Sequence, residues 1–418
     1  MSDPAAFPRS PAAVPAPALY RVWAGLCIAW PAVLLVSLGA ANLLLAPIIL
    51  GWLVFRPAVP RPVRHLGLLA GLYLVATLAA VALSPFGSHW AAWLEGRSTM
   101  LAILPGLVLG ADLRRLQRSL QAVAVLLVAL AGYGLYQHFT GWDPVRGKVL
   151  ADLLDRWHAT GFQELHLTFA GLVGMAVPVV LSSYAHRPVK SGLLALAGTV
   201  AVLTAMARSI MLGLAGCGLL LLAFGSRRLK IAALVLLLAL ALLPSTIFDT
   251  AGERFLRGVG MSQDQTVSQG DDTRLHLWHS AWTIFRHFPL LGVGGDNWPP
   301  AFQLYGDPYD NYSSTAGAHN DLLTNLTENG LLGTALFAFL WGYIVLQLAL
   351  SAWRSRGEER DRFLGFLGAV LLLLFGGLFQ DFQADAETAL LLWCLVGAGI
   401  QLSAACGEAA VTVEKRAA

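Results

Sequence analysis

Long uncharged apolar runs alternate with short polar connections along most of this chain. A helix that crosses a bilayer needs about 20 mainly apolar residues, fewer when it is buried among neighbours. By that measure the pattern predicts twelve spans, at 22–38, 40–55, 66–84, 98–110, 119–137, 167–184, 191–207, 209–224, 230–246, 330–351, 363–381 and 386–404. Glycine and proline inside several of them are tolerated, because helices packed in a membrane can rearrange around them. The pattern therefore predicts an all-α polytopic membrane protein of about twelve transmembrane helices.

Basic residues orient the spans. Arg56, Arg61 and Arg64 form one group, and Arg114, Arg115 and Arg118 a second; Arg187 with Lys190, Arg227 with Arg228 and Lys230, and Arg354 through Arg362 continue the series. With twelve spans all fall on one side, together with both termini, and that side is the cytoplasm. The chain then divides into a cytoplasmic tail at 1–21, helices 1–9 over 22–246, a large loop at 247–329, helices 10–12 over 330–404 and a cytoplasmic tail at 405–418. The large loop precedes the tenth helix and lies on the opposite face, periplasmic in a Gram-negative cell, as does a smaller loop near 138–166. In the large loop Leu275, Trp278, Trp282 and Phe285 recur at helical spacing, and tryptophan on such a face suggests a helix at the membrane surface. Asp271, Asp272 and Thr273 offer it a cap.

Composition agrees: 56% of residues are hydrophobic, 13% are charged, and the net charge is only +3. Cys27, Cys217, Cys394 and Cys406 lie in apolar spans or near the C-terminus, so neither a disulfide framework nor a thiolate metal site is expected.

The chemistry-bearing residues gather on the face opposite the basic series. His319 stands before a helix that Asn320 or Asp321 can cap, and Glu328, Gly330 and Gly333 mark a break before the chain enters lipid. The dipole at a helix N-terminus favours a neutral imidazole, the form that accepts a proton from a hydroxyl. Arg208 lies between two apolar spans with almost no loop, where a charged group is costly and often functional. Arg274 opens the amphipathic helix. Pro289-Leu-Leu-Gly-Val-Gly-Gly-Asp-Asn-Trp298 reads as a turn rather than a phosphate cradle, since no P-loop lysine follows. Two guanidiniums on one face match phosphate oxygens with forked hydrogen bonds and suit a lipid-linked diphosphate. Asp381, Asp385 and Glu387 form a fallback metal site. Arg146, Lys148 and Arg156 read as solvated charges before contacts for a phosphorylated acceptor, and Trp278 and Trp282 as interfacial aromatics before sugar-stacking ones.

The His319-Asn320 stretch, with Glu328-Asn-Gly330, Gly333, Arg274 and Pro289-Leu-Leu-Gly-Val-Gly, resembles the shared domain of the O-antigen ligase and polymerase superfamily, and most of all the ligase family. Arg208-Ser209 and Tyr136-Gln-His-Phe-Thr-Gly-Trp-Asp143 add to the likeness, which covers roughly 100–385. The resemblance implies a metal-independent inverting glycosyltransferase without a cofactor, in the bacterial inner membrane with its site facing the periplasm. Its partners would be undecaprenyl-diphosphate-linked O-antigen, a lipid A-core acceptor and membrane lipids, with no nucleic acid. By the same likeness His319 would be catalytic and Arg208 and Arg274 would bind the diphosphate, with Asn320, Asp321 and Glu328 touching the acceptor or supporting the site. An O-antigen polymerase or protein O-oligosaccharyltransferase is the alternative within the superfamily. A transporter is the alternative from another class, but it calls for polar residues in mid-span and repeated halves, and neither is visible.

Overall fold

A computed structural model describes residues 17–151, 157–246, 268–307 and 317–417. The expected N-terminal tail lies almost wholly outside them, as do Arg156 and residues 247–267 of the large loop. The helices are α1 (Ala18–Leu34), α2 (Leu38–Phe55), α3 (Arg61–Ala82), α4 (Trp90–Ser98), α5 (Ile103–Gly110), α6 (Leu113–Thr140), α7 (His166–Ser183), α8 (Pro188–Thr204), α9 (Arg208–Phe224) and α10 (Arg227–Thr246). After the large loop's first part come α11 (Ser268–His287), α12 (Trp298–Tyr305), α13 (Asp321–Arg354), α14 (Gly357–Gly376) and α15 (Ala386–Ala417). Among the described residues six helices are long and apolar enough to cross a membrane: α2, α3, α6, α7, α13 and α15 up to Gly407. Three more, α1, α8 and α9, are apolar but shorter. The chain is a multi-pass helical membrane protein.

Two expectations about elements need correction. The stretch 98–110 is not one helix: α4 leads through a 3₁₀ turn, Thr99–Ala102, into α5. Pro105 has no N–H to donate to the carbonyl four residues back, so the backbone tightens there. The amphipathic helix starts at Ser268, before the Asp271–Thr273 segment expected to cap it. Helix α15 runs from Ala386 to Ala417, so the stretch expected as the C-terminal tail is helical up to Ala417.

The bundle packs around α7, α14 and α15, which bury nearly their whole circumference. Small residues let backbones touch: a Cβ at Gly106 would come within 2.0 Å of the Cys394 carbonyl oxygen, and one at Gly397 within 2.4 Å of that of Ile103. This close approach joins α5 to α15, where van der Waals contact replaces the hydrophobic drive that lipid does not supply.

One end of the bundle carries the turns on which function is expected. The loop between α6 and α7 folds over it as a small cap with a two-stranded hairpin, Trp142–Asp143 against Lys148–Val149. The Gln137 side chain accepts from the backbone N–H groups of Thr160 and Gly161 and donates to the Gly161 carbonyl. Gln163 donates to the Leu35 carbonyl at 3.0 Å, and the Ala159 N–H donates to the Thr204 carbonyl at 3.0 Å. The cap thus ties the α1–α2 turn, α6 and the α8–α9 turn together. Buried Asp143 accepts from the Tyr133 hydroxyl at 2.7 Å and from Arg146 at 3.0 Å. Burial works against its ionisation, but those two donors outweigh it and hold the carboxyl below the usual range.

Helix α13 is two helices joined at a kink. Gly330 has φ 60° and ψ −163°, which no helix continues through. The carbonyls left free before the break are taken by the Gly-rich turn: Val293 N–H donates to Thr327 and Gly294 N–H to Glu328, both at 2.8 Å. The N–H groups left free after it donate to that turn, Leu331 to Pro289 at 2.8 Å and Leu332 to Leu290 at 3.2 Å. A polar break at membrane depth is stable only if its backbone groups find partners in this way. The segment Asp321–Asn329 therefore leaves the axis of the long helix and lies between the end of α14 and the flank of α3.

Candidate functional site

The site is built around a tight turn. Gly317 and His319 both have left-handed backbones, φ 68° and 48°. The Asp381 carboxylate, from the turn after α14, closes it: one oxygen accepts the His319 N–H at 3.0 Å, the other the Asn320 N–H at 2.9 Å and the Thr324 hydroxyl at 2.8 Å. A Cβ on Gly317 would sit 3.2 Å from the same carboxylate, so turn geometry and close approach both favour glycine there. Burial raises the Asp381 carboxyl above the ordinary carboxylate range, against the pull of Thr324, His319 and the two backbone donors.

Asn320 is the N-cap, its side-chain oxygen accepting from the N–H groups of Leu322 and Leu323 at 3.0 and 3.1 Å while its amide donates to the Leu378 carbonyl. Asp321 is buried against the α14–α15 turn, its N–H donating to Gly377 at 2.7 Å and its carboxylate accepting from Gln383 N–H at 3.1 Å. These bonds make Asn320 and Asp321 braces of the turn, and the second Asp321 oxygen, Oδ2, is buried without a hydrogen-bond partner. His319 is about one-third exposed, with Nδ1 3.9 Å from Asp381. Nε2 is the nitrogen left to meet a ligand.

Arg208 starts α9 after the N-cap Ala207, which follows Met206, whose φ is 55°. Ile210, two residues on, lies beside Gly376, where a Cβ would come within 3.1 Å of it, and Gly377 next door bonds to Asp321. The Arg208 turn and the His319 turn thus flank the same end of α14. Arg274 lies on α11 one turn before Leu277, and Leu277 shares a buried apolar cluster with Ala318, the neighbour of His319. All three predicted residues belong to one end of the bundle.

Helix α11 has the expected periodicity but turns the other face inward. Leu277, Ala281 and Ile284 are buried, while Leu275 and Trp282 are 61% and 49% exposed and Trp282 packs on Phe285. Of the residues that recur at helical spacing, Leu275 and Trp282 thus face outward, as a helix at a lipid surface requires, while Trp278 and Phe285 are half-buried. Two of the first loop's expected cations are paired: Arg146 bonds Asp143, Glu164 and the Phe162 carbonyl, and Lys148 bonds Glu164 at 2.8 Å, while Arg156 lies outside the described residues. The fallback metal site is not assembled. Asp381 faces the His319 turn, Asp385 bonds Thr168 and the Thr388 N–H, and no group of three such ligands occurs among the described residues.

Reading the sequence missed Asp381 in this role, together with Tyr73 and Arg97. Tyr73 is buried on α3 and its hydroxyl accepts from the Asn325 amide at 2.7 Å. Arg97, on α4, stands over the Tyr73 ring at 5.1 Å. The sequence signal available for Arg97 is a lone arginine beside an apolar span, on the face where such charges are unusual.

Residues 193–338 match the family described as O-antigen ligase, so the match takes in Arg208, Arg274, His319 and the kink. The resemblance read from the sequence is borne out over that segment, which supports membership of the O-antigen ligase and polymerase superfamily. No curated protein matches the chain.

Proposed function

We propose that this protein is an O-antigen ligase, moving a glycan from undecaprenyl diphosphate to a sugar hydroxyl of lipid A-core at the periplasmic face of the inner membrane. The observation that carries the reading is the His319 turn: an imidazole in a strained backbone, braced by Asp381, beside the Arg208 turn. The acceptor hydroxyl oxygen attacks the anomeric carbon from the face opposite the leaving group, inverting it. Its proton passes to His319 Nε2 as the new C–O bond forms. The anomeric carbon–diphosphate bond breaks, and undecaprenyl diphosphate leaves with the bonding pair. Arg208 and Arg274 hold the diphosphate and offset its growing charge, the part a divalent cation plays elsewhere. Asp381 fixes His319 by its backbone and supports the positive charge that the ring acquires.

The test is lipopolysaccharide from a cell lacking the protein, restored with wild type or with His319→Ala, Arg208→Ala or Arg274→Ala at matched levels. The ligase reading expects bare core and accumulated lipid-linked polymer in the deletion, rescue by wild type, and no rescue by the three variants. A core carrying a single repeat unit would instead identify a polymerase.

A further inference from the structure

At the end of the bundle away from His319, three connections enclose a cavity of about 300 Å³. His186 comes from the α7–α8 turn, Ser226, Arg227 and Arg228 from the α9–α10 turn, and Glu358 and Asp361 from the start of α14. Helix α9 has Arg208 at its far end and α14 has Gly376 at its own, so the cavity lies roughly 25 Å along the bundle from the transfer site and shares no residue with it. Ser226 caps α10, its hydroxyl accepting from the Leu229 N–H at 3.3 Å and its carbonyl from the Lys230 N–H at 2.9 Å. The Ser226 N–H in turn donates to Asp361 at 2.8 Å, and Asp361 is 1% exposed. The acids of the lining are therefore engaged: Asp361 holds the turn, and Glu358 is bonded to Arg362 at 2.9 Å. The arginines are not. Arg227 and Arg228 are exposed, and among the described residues neither guanidinium makes an ion pair or hydrogen bond, nor do their backbone N–H groups, the first two of α10. Neighbouring Lys190, by contrast, is held over the Tyr184 ring at 4.2 Å.

We propose that this cavity binds a phosphate ester, with Arg227 and Arg228 as its donors. The inference is independent of the ligase reading. Two guanidiniums side by side in sequence each offer phosphate oxygens a forked pair of N–H groups. The open N–H groups and the positive end of a 20-residue helix favour the same charge. His186 adds an imidazole N–H from the α7–α8 turn. With Glu358 matched by Arg362, the lining sets two guanidiniums against one carboxylate whose oxygen is already occupied by Ser226, so an anion gains there and a cation does not. The volume is that of a small ligand pocket, with room for the alcohol part of the ester beside its phosphate. At the basic end of a membrane bundle the headgroup of an anionic lipid supplies this chemistry from the bilayer, and a soluble phosphate ester supplies it from the aqueous side.

The experiment follows the unfolding midpoint of the purified full-length protein in an uncharged maltoside detergent at constant ionic strength. Two probes are added separately, phosphatidylglycerol in mixed micelles and glycerol phosphate in solution. A ligand that binds only the folded state raises the midpoint in a saturable way. The expected result is such a rise, with the half-saturating concentration at least about 10-fold higher for the double variant Arg227→Gln, Arg228→Gln, the loss of charged hydrogen bonds. A rise with phosphatidylglycerol alone assigns the site to a lipid headgroup, and a rise with glycerol phosphate as well opens it to soluble esters. Arg114→Gln with Arg118→Gln removes the same charge from the start of α6, outside the cavity, and should leave the half-saturating concentration within about 2-fold. A double variant at 227 and 228 that weakens binding no more than this control pair overturns the site, as does a midpoint that neither probe moves. Should the double variant fail to fold, Arg228→Gln against Arg118→Gln gives the same comparison.

Discussion

His319 is held where it is by its backbone more than by its ring. A non-glycine residue at φ 48° is strained by roughly 1–3 kcal/mol, and the Asp381 bonds to the N–H groups of residues 319 and 320 offset that strain. Asp381→Ala should therefore lower kcat about 100-fold, the usual effect of misplacing a reacting group by about 1 Å, with little change in donor KM. A single-turnover assay at saturating donor checks it, and equal rates for variant and wild type would remove the brace. The same carboxyl gives a pH signature. Because burial raises its folded-state value, its contribution to stability is full in acid and is lost as pH rises through that value. The unfolding midpoint of Asp381→Asn relative to wild type should thus climb as pH rises above about 4, the ordinary Asp value, a trend thermal unfolding in detergent can follow.

At the scale of elements, the kink in α13 is the feature on which the site turns. A Cβ at Gly330 would come within 2.4 Å of the Leu290 carbonyl, and its φ of 60° already disfavours any other residue. Gly330→Ala should cost about 2–4 kcal/mol from combined strain and overlap, and activity should fall with it as the His319 segment leaves its seat. An unfolding midpoint equal to that of wild type would show that the break is not held by the 289–294 turn. Much of this element was legible in the sequence. Asn320 announced the cap, Gly330 and Gly333 the break, and the Gly-rich stretch a turn. What the turn docks against was not legible, because carbonyls freed by a kink leave no trace in residue types. The role of Asp381 was hidden for a related reason. It lies 62 residues from His319, and an acidic cluster in a loop suggests a metal as readily as a brace. In α11 the period and the surface position of Trp282 were legible, but the inner face of Leu277, Ala281 and Ile284 was not, because the larger Leu275, Trp278, Trp282 and Phe285 dominate the pattern.

For the whole molecule, the basic series and the candidate site lie at opposite ends of the bundle. The two ends differ in construction as well as in charge. Near the basic end Arg115 stacks on Tyr20 at 5.3 Å, Lys190 on Tyr184 at 4.2 Å, and the Ser226 N–H reaches Asp361 at 2.8 Å, all contacts that a short turn can make. The other end carries the hairpin cap, the outward-facing Leu275 and Trp282 of α11 and the His319 turn, the features that the proposed function assigns to its substrates. If the proposed orientation is right, residues of the cap face the periplasm. Val145, 63% exposed beside the hairpin, and Arg114, exposed at the start of α6, sit at the two ends. In a Cys406→Ser background the other three cysteines are buried, so single cysteines at 145 and 114 report each end separately. Val145→Cys should react with a membrane-impermeant maleimide once the outer membrane is permeabilised, and Arg114→Cys only after the inner membrane is opened. The reverse order would place the imidazole and both guanidiniums in the cytoplasm, away from any finished glycan on its carrier, and the ligase assignment would fall with the topology.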